Sequence, residues 1–349
     1  TFTRTLGAPF NPLKAHVLYH RLVLDQAMGT PDKALFLEYL KLPRFQPYMS
    51  KAMLESVELQ RYPADLNADY KVWSQLAIVG PDEALVRSYL KTFLVNATST
   101  KEFDEYLNDT YLKHLFAETK IENGLGEPET WAAQLPPELY RQLKDRIDID
   151  FAPTNKTAFA ADEVVKLDLF VKNVPQLMVK VFEINATNYY RTQKREVDTA
   201  INLDGLVANA EKTHTYTETP FRRMGRKFEF PELNKPGVYV IDFIGAGKSS
   251  RALIRKGRLR PLVGMSTAGQ KLTILDENDK LVQGATVWLG GHEYKADDKG
   301  VVLVPFSTAP SRQPLVISKD GFSSLDFLNH QAESYQLLAG IHVDREAML

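Results

Sequence analysis

The chain has 349 residues, 43 basic against 44 acidic side chains, and no cysteine. Lack of cysteine excludes a disulfide framework, a thiolate metal site, a cysteine nucleophile and a thiol redox centre. A formal charge of −1 argues against a wholesale nucleic-acid or polybasic membrane binder.

At roughly 100–200 residues per domain, the length suggests two or three domains. No apolar run approaches the roughly 18 residues that span a bilayer. Residues 1–12 lack a charged segment followed by a long apolar one, so a mature or excised piece is expected.

Up to about residue 145 the pattern is helical. Asn11 caps Pro12 at a first helical position, and Leu13, Val17, His20 and Leu24 recur at helical spacing. Thr30-Pro31-Asp32 starts a second helix carrying Leu35, Phe36, Tyr39 and Leu40, which must stop before Pro43. Gly80-Pro81-Asp82-Glu83 opens a third, with Ala84, Leu85, Tyr89, Leu90 and Phe93 facing inwards. Thr100 is expected to cap a short helix at Lys101-Glu102. Thr110 to about Glu122 continues the pattern, and Pro136-Pro137-Glu138 starts the last helix. No fixed period repeats between them, so no solenoid is expected.

From about Arg146 the period becomes two. Stretches 147–151, 164–174, 177–184, 227–230 and 238–244 alternate or are rich in β-branched and aromatic residues. Beyond Gly264, stretches 271–275, 285–289, 301–305 and 315–318 follow, with polar turns at 276–280 and 297–300; 341–345 alternates once more. Short strands with regular turns point to sandwiches rather than a βαβ sheet. The predicted fold is a multidomain α and β chain. An N-terminal all-α helical domain (1–145) precedes two antiparallel β-sandwich domains (146–262 and 263–349), with an exposed connection near 143–161.

Several motifs imitate functional sites. Gly247-Lys248-Ser249 matches the end of a P-loop, but Asp242 stands where the opening glycine belongs and would repel phosphate. The residues after it read as the return strand of a hairpin turning at Gly245-Ala246-Gly247. His16 and His20 have zinc-protease spacing, yet Val17 replaces the glutamate base and no third ligand is evident. Asp148 and Asp150 share a strand face, as acids on solvated faces commonly do. Asp297-Asp298-Lys299-Gly300 lacks a full calcium-loop ligand series and reads as a turn. No Gly-x-Ser-x-Gly elbow or kinase set occurs. Asn-x-Thr sequons stand at Asn96, Asn108, Asn155 and Asn185, and bear on function only in a glycosylating pathway. Asn188-Tyr189-Tyr190-Arg191 reads as an amphipathic strand edge.

Charge is unevenly divided. Residues 101–150 hold 12 acids and 6 bases, whereas residues 221–260 hold 11 bases and 3 acids. The basic stretch makes Arg222, Arg223, Arg251, Arg255 and Arg258 the candidate interaction face, with the acidic helical half as one possible docking partner.

Pro236-Gly237-Val238-Tyr239-Val240 places a tyrosine so that its ring is buried and its hydroxyl reaches nearby backbone. With Lys172-Asn173-Val174, stretch 179–184 and the strand 251–260, it resembles the macroglobulin-type sandwiches of the α2-macroglobulin family. The next stretch, from Leu272-Thr273-Ile274-Leu275 through Gly284-Ala285-Thr286-Val287 to Asp297 and Gly300, resembles transthyretin-like or carboxypeptidase-regulatory-like sandwiches, making 263–349 transthyretin-like or Ig-like. The resemblance covers about 146–349 and implies an exported, periplasmic or cell-surface protein. The family's thioester needs a cysteine, so covalent trapping is not carried over.

Function is accordingly expected to be non-catalytic. The chain reads as a structural or protein-interaction segment of a longer α2-macroglobulin-like protein, with no catalytic residue, cofactor or metal. Its expected partner is a protein or a neighbouring domain, with no nucleic acid and no transmembrane segment. A carbohydrate- or peptide-binding sandwich would require an exposed aromatic cluster around Tyr189 and Trp288. An enzyme would require acids and histidines converging in a cleft at the helical–sandwich junction.

Overall fold

A computed structural model describes residues 2–334, and the alternating stretch at 341–345 lies outside them. The first part is helical. α1 (Asn11–Ala27), α2 (Lys33–Leu40), α3 (Lys51–Leu54), α4 (Val57–Arg61) and α5 (Lys71–Ser74) lead to four more helices. These are α6 (Glu83–Leu94), α7 (Asp109–Asn123), α8 (Pro128–Ala132) and α9 (Pro137–Asp145). α2 has the expected form: Asp32 accepts from the Leu35 amide at 3.0 Å, and Leu35, Phe36, Tyr39 and Leu40 are buried. Asn108 caps α7 in the same way, through the Tyr111 amide.

Other details depart from the sequence pattern. α1 buries Ala15, Leu18 and Leu22 instead of the Leu13, Val17, His20 and Leu24 stripe. The helix carries apolar residues on more than one face, and periodicity cannot choose between them. Asn11 is not a cap; its buried amide donates to the Tyr62 carbonyl at 2.9 Å. Residues 101–106 form turns, not a helix, with the Phe103 amide bonded to the Thr100 carbonyl at 2.8 Å.

Asp82 stands at the N-terminal boundary of α6. Instead of capping α6, its carboxylate turns into the core and meets Arg44 at 3.1 Å. Tyr39 and Tyr48 donate their hydroxyls to it at 2.6 and 2.5 Å. Arg44 is 1% exposed and Asp82 0%, so their opposite charges must offset the cost of desolvation, with the surrounding hydrogen bonds adding to that offset.

After α9 the chain runs as β1 (Asp148–Phe151), β2 (Ala158–Phe159), β3 (Val165–Lys172) and β4 (Gln176–Ile184). A helix, α10 (Ala186–Gln193), intervenes before β5 (Ala210–Thr215), β6 (Arg223–Phe230), β7 (Gly237–Gly245) and β8 (Lys248–Lys256). Sheet β1-β3-β6 faces sheet β2-β8-β7-β4-β5, in which only the β2–β8 pairing is parallel. Val165, Leu167, Leu169, Phe228, Ile241 and Phe243 fill the space between them, as in a sandwich. α10 corrects the strand-edge reading of residues 188–191. Asn185 caps it through the Asn188 amide, and Tyr190 is buried.

A second sandwich follows. β9 (Arg260–Ser266), β10 (Gly269–Leu275), β11 (Thr286–Leu289), β12 (His292–Lys295), β13 (Val301–Val304), β14 (Ser311–Lys319) and β15 (Phe322–His330) form sheets β13-β10-β9 and β12-β11-β14-β15. Leu272, Ile274, Val287, Val302, Leu315 and Ile317 make its core. The predicted class therefore holds: a helical region followed by antiparallel sandwiches.

The two sandwiches also touch through apolar surface. Phe182, Val240 and Leu253, on the outer face of the five-stranded sheet, share a cluster with Tyr190 of α10 and Val316 of β14. Tyr239 behaves as its motif requires: its ring is buried and its hydroxyl donates to the Lys235 carbonyl at 2.9 Å. Tyr239→Phe is expected to cost about 1 kcal/mol of stability, read from urea unfolding, because one partly buried hydrogen bond is lost while packing stays.

Candidate functional site

The P-loop imitation is a hairpin. Gly245 pairs with Lys248 across the two-residue turn Ala246-Gly247, both at positive φ (48° and 80°). This is the turn geometry that right-twisted hairpins favour. Asp242 accepts from Ser249 and is 3.1 Å from Arg251, and Lys248 reaches the Ile147 carbonyl at 3.1 Å. No amide cradle or helix N-terminus is left for a phosphate. Titration of ATP with magnesium into the protein is expected to give no saturable heat in calorimetry; saturable binding lost in Lys248→Ala would contradict the hairpin reading.

The other imitations are structural too. His16 and His20 lie with ring centroids 4.6 Å apart, and their Nε2 atoms sit 2.9 Å from Ser74 Oγ and 2.8 Å from the Ala77 carbonyl. Burial first, then the neighbouring His20, hold the His16 imidazole below its ordinary pKa. Asp297 accepts from the Lys299 and Val301 amides at 2.9 Å each and so makes a turn. Tyr189 and Trp288 are half-buried against the cluster between the sandwiches rather than exposed as a ligand platform.

The five candidate arginines do not converge on one place. Arg222 lies against Gly124 at the end of α7, and Arg223 contacts Asp150 at 3.2 Å, Asp148 at 3.4 Å and the Phe170 ring at 4.2 Å. Arg251 and Arg255 hold the segment after α10, donating to the Ile201 carbonyl at 3.1 Å and the Val197 carbonyl at 2.8 Å. Arg258 lines a cleft of about 570 Å³ between the sandwiches. Its backbone amide donates to Glu277 at 3.2 Å.

Between the helical part and the first sandwich stands a charge cluster centred on Arg146. Its guanidinium pairs with Glu118 at 2.9 Å, Asp148 at 3.0 Å and Glu122. Lys91 joins at 2.7 Å to both glutamates, and Arg87 also pairs with Glu118. Lys172 of β3, 1% exposed, donates to the Leu143 carbonyl and, at 2.8 Å, to that of Arg146. Burial opposes the Glu118 charge, but Lys91 and Arg87 outweigh it and hold its carboxyl well below the usual range. The acidic pair Asp148 and Asp150 is likewise committed, to Arg146, Arg223 and Lys248.

Clefts of about 750 and 580 Å³ flank this cluster. His114 lines the larger one beside Glu118, whose carboxylate is already paired with cations. A carboxylate held ionised this firmly is a poor general acid or base near neutral pH. Sequence reasoning missed Arg146 altogether. A usable signal was the Glu118/Glu122 repeat on one face of α7, since like charges four apart repel unless a cation lies between them.

Residues 1–147 match the family described as the Actin-binding protein F N-terminal domain. Residues 177–257 match the one described as the AbpF first immunoglobulin-like domain. Actin-binding protein F of Dictyostelium discoideum is 34% identical over 358 residues, an alignment covering 100% of this chain and 15% of that protein. The chain thus spans a small part of that relative's length. Among solved structures, a piece of Escherichia coli alpha-2-macroglobulin spanning domains MG0-NIE-MG1 is 18% identical, with a TM-score of 0.35 over 52% of this chain and 64% of that one. A chimeric titin Z1Z2 tandem is 10% identical, with a TM-score of 0.27 over 54% of this chain and 99% of that one. No functional statement follows from likenesses so distant.

The exported, periplasmic or cell-surface address expected from the macroglobulin resemblance is overturned. The relative aligned with the whole chain is named for binding actin, which conflicts with an exported or surface address. No helix of the described residues is long and apolar enough to cross a membrane. In its helical half and in the immunoglobulin-like part of its first sandwich alike, the chain is similar to Actin-binding protein F.

Proposed function

We propose that the chain is a non-catalytic, actin-engaging segment of a longer actin-binding protein, in which two joined sandwiches carry and orient the helical half. The whole-length likeness to Actin-binding protein F carries this reading. Two physical observations support it. Glu118, Asp148 and Asp150 at the junction clefts are held in ion pairs, and Phe182, Val240 and Val316 join the sandwiches through apolar contact rather than a polar linker. Apolar inter-domain contact resists hinge motion, as a spacer requires.

Units at 1–145, 146–262 and 263–349 are part of this proposal. In it, Arg222 docks the first sandwich on the helical half against Gly124, Arg223 braces β1 within that sandwich, and Arg251 and Arg255 brace the segment after α10. The carbohydrate- or peptide-binding alternative is disfavoured by the half-buried Tyr189 and Trp288. Co-sedimentation of the chain with filamentous actin tests the reading. Saturable pelleting is expected; none at any filament concentration would sink it. Reproducible turnover in a broad hydrolase screen, lost on mutating one cleft acid or histidine, would replace it with an enzyme.

A further inference from the structure

We propose that the outward face of α1, with α5 and the residues after it (70–78) beside it, is the surface by which the helical half docks on an acidic protein partner. This rests on the actin reading above and assigns its contact face. α1 carries two apolar stripes, and the fold covers one. The other runs through Val17 and Leu24, which are 37% and 49% exposed, and continues into Phe10 before the helix and Met28 after it, at 50% and 66%. At 3.6 residues per turn these positions fall on one line, and Lys14 and Arg21 fall between them. The helix's one acid, Asp25, is buried and paired with Arg21 at 2.9 Å. The exposed face is therefore apolar with basic side chains, and the acids nearest it are Asp25, paired with Arg21, and Asp69, which accepts from the Lys71 amide.

This segment extends that face. The bonds from His16 to Ser74 and from His20 to Ala77 fasten it along the flank of α1. So held, it presents Val72 and Trp73, 85% and 86% exposed, with Lys71 beside them. A tryptophan displayed at this fastened position packs on little among the described residues, and tryptophan and arginine are the side chains that most often anchor protein interfaces. Charge complementarity selects the partner: an acidic surface with a hollow for the indole ring. An anionic membrane fits less well, because three cations fall short of the four to eight or so that mark lipid-binding clusters.

The test is co-sedimentation of the whole chain, wild type and variants, with filamentous actin and separately with phosphatidylserine vesicles. Trp73→Ser is expected to weaken filament binding about tenfold or more, and Lys14→Glu several-fold with a shallower salt dependence. Val207→Ser, at a 90% exposed site in the first sandwich, should leave binding unchanged. Unchanged thermal melting of Trp73→Ser would separate lost contact from lost fold. Wild-type binding that Trp73→Ser and Lys14→Glu both retain in full would overturn this surface and leave the actin reading standing. Absence of wild-type binding would overturn both. Trp73-dependent pelleting with vesicles, while filament binding is unaffected, would overturn it in favour of a membrane.

Discussion

Asp82→Ala is expected to destabilise the helical half by about 3–5 kcal/mol, because it strands the Arg44 guanidinium in a core that water does not reach. Arg44 keeps two carbonyl acceptors, on Tyr39 at 2.8 Å and Leu42 at 2.9 Å, but these carry no charge. The Tyr39 and Tyr48 hydroxyls would lose their acceptor as well, adding a desolvation penalty. Burial first, and the Asp82 charge after the opposing pull of Arg44, raise both phenols far above their ordinary pKa while Asp82 is in place. Urea unfolding followed by far-ultraviolet circular dichroism measures the loss. A change below about 1 kcal/mol would mean that water or a neighbouring group compensates Arg44. The double variant Arg44→Met with Asp82→Leu should recover much of the loss, since an apolar pair of similar volume avoids the burial of either charge.

Legibility in the sequence followed the range of the interaction. The Tyr239 corner, the Ala246-Gly247 hairpin and the Asp32 cap each depend on residues within a few positions of one another, and all were readable. α10 was not, because Thr, Asn and Tyr have modest helix propensity and only the Asn185 cap marks its start. Helices α3 and α4 did carry a local signal: Ser50 and Ser56 each accept at 3.2 Å from the amide three residues on. The stripe on α1 was misassigned for a more informative reason. Leu13, Val17, His20 and Leu24 do recur at helical period, but the chain's own core takes the neighbouring stripe. Periodicity reports an amphipathic face without saying whether the same chain covers it. Of the junction only the Glu118/Glu122 repeat was legible, because Arg146 draws its partners from α7 and β1, with Lys91 of α6 alongside.

Arg146→Ala should be the second most damaging single change, at about 2–4 kcal/mol. That is less than a fully buried pair would lose, because the side chain is 35% exposed and water can partly replace it. Its removal leaves Glu118, Glu122 and Asp148 facing one another with Lys91, Arg87 and Arg223 as the remaining cations. The repulsion falls across the boundary between α7 and β1, so the damage should appear as loosened coupling as well as lost stability. Limited proteolysis is the direct readout: cleavage near 143–161 should accelerate in the variant, where Lys172, bonded to the backbone carbonyls of residues 143 and 146, is left to hold this stretch without the charge cluster. Acid should mimic the mutation. The folded-state pKa of Glu118 lies below its unfolded value, so its contribution is fully present above the ordinary carboxylate range of about 4.3 and is lost as pH falls through the folded value. His16 adds a loss of the same sign that begins at higher pH. Its folded pKa is also depressed, so the folded state favours the neutral ring and loses that advantage as pH drops below about 6.5 towards the folded value. Wild type and Arg146→Ala should therefore differ most in stability near neutral pH and converge in strong acid. A gap that stayed constant down to pH values at which Glu118 is protonated would place the Arg146 effect in packing instead of charge.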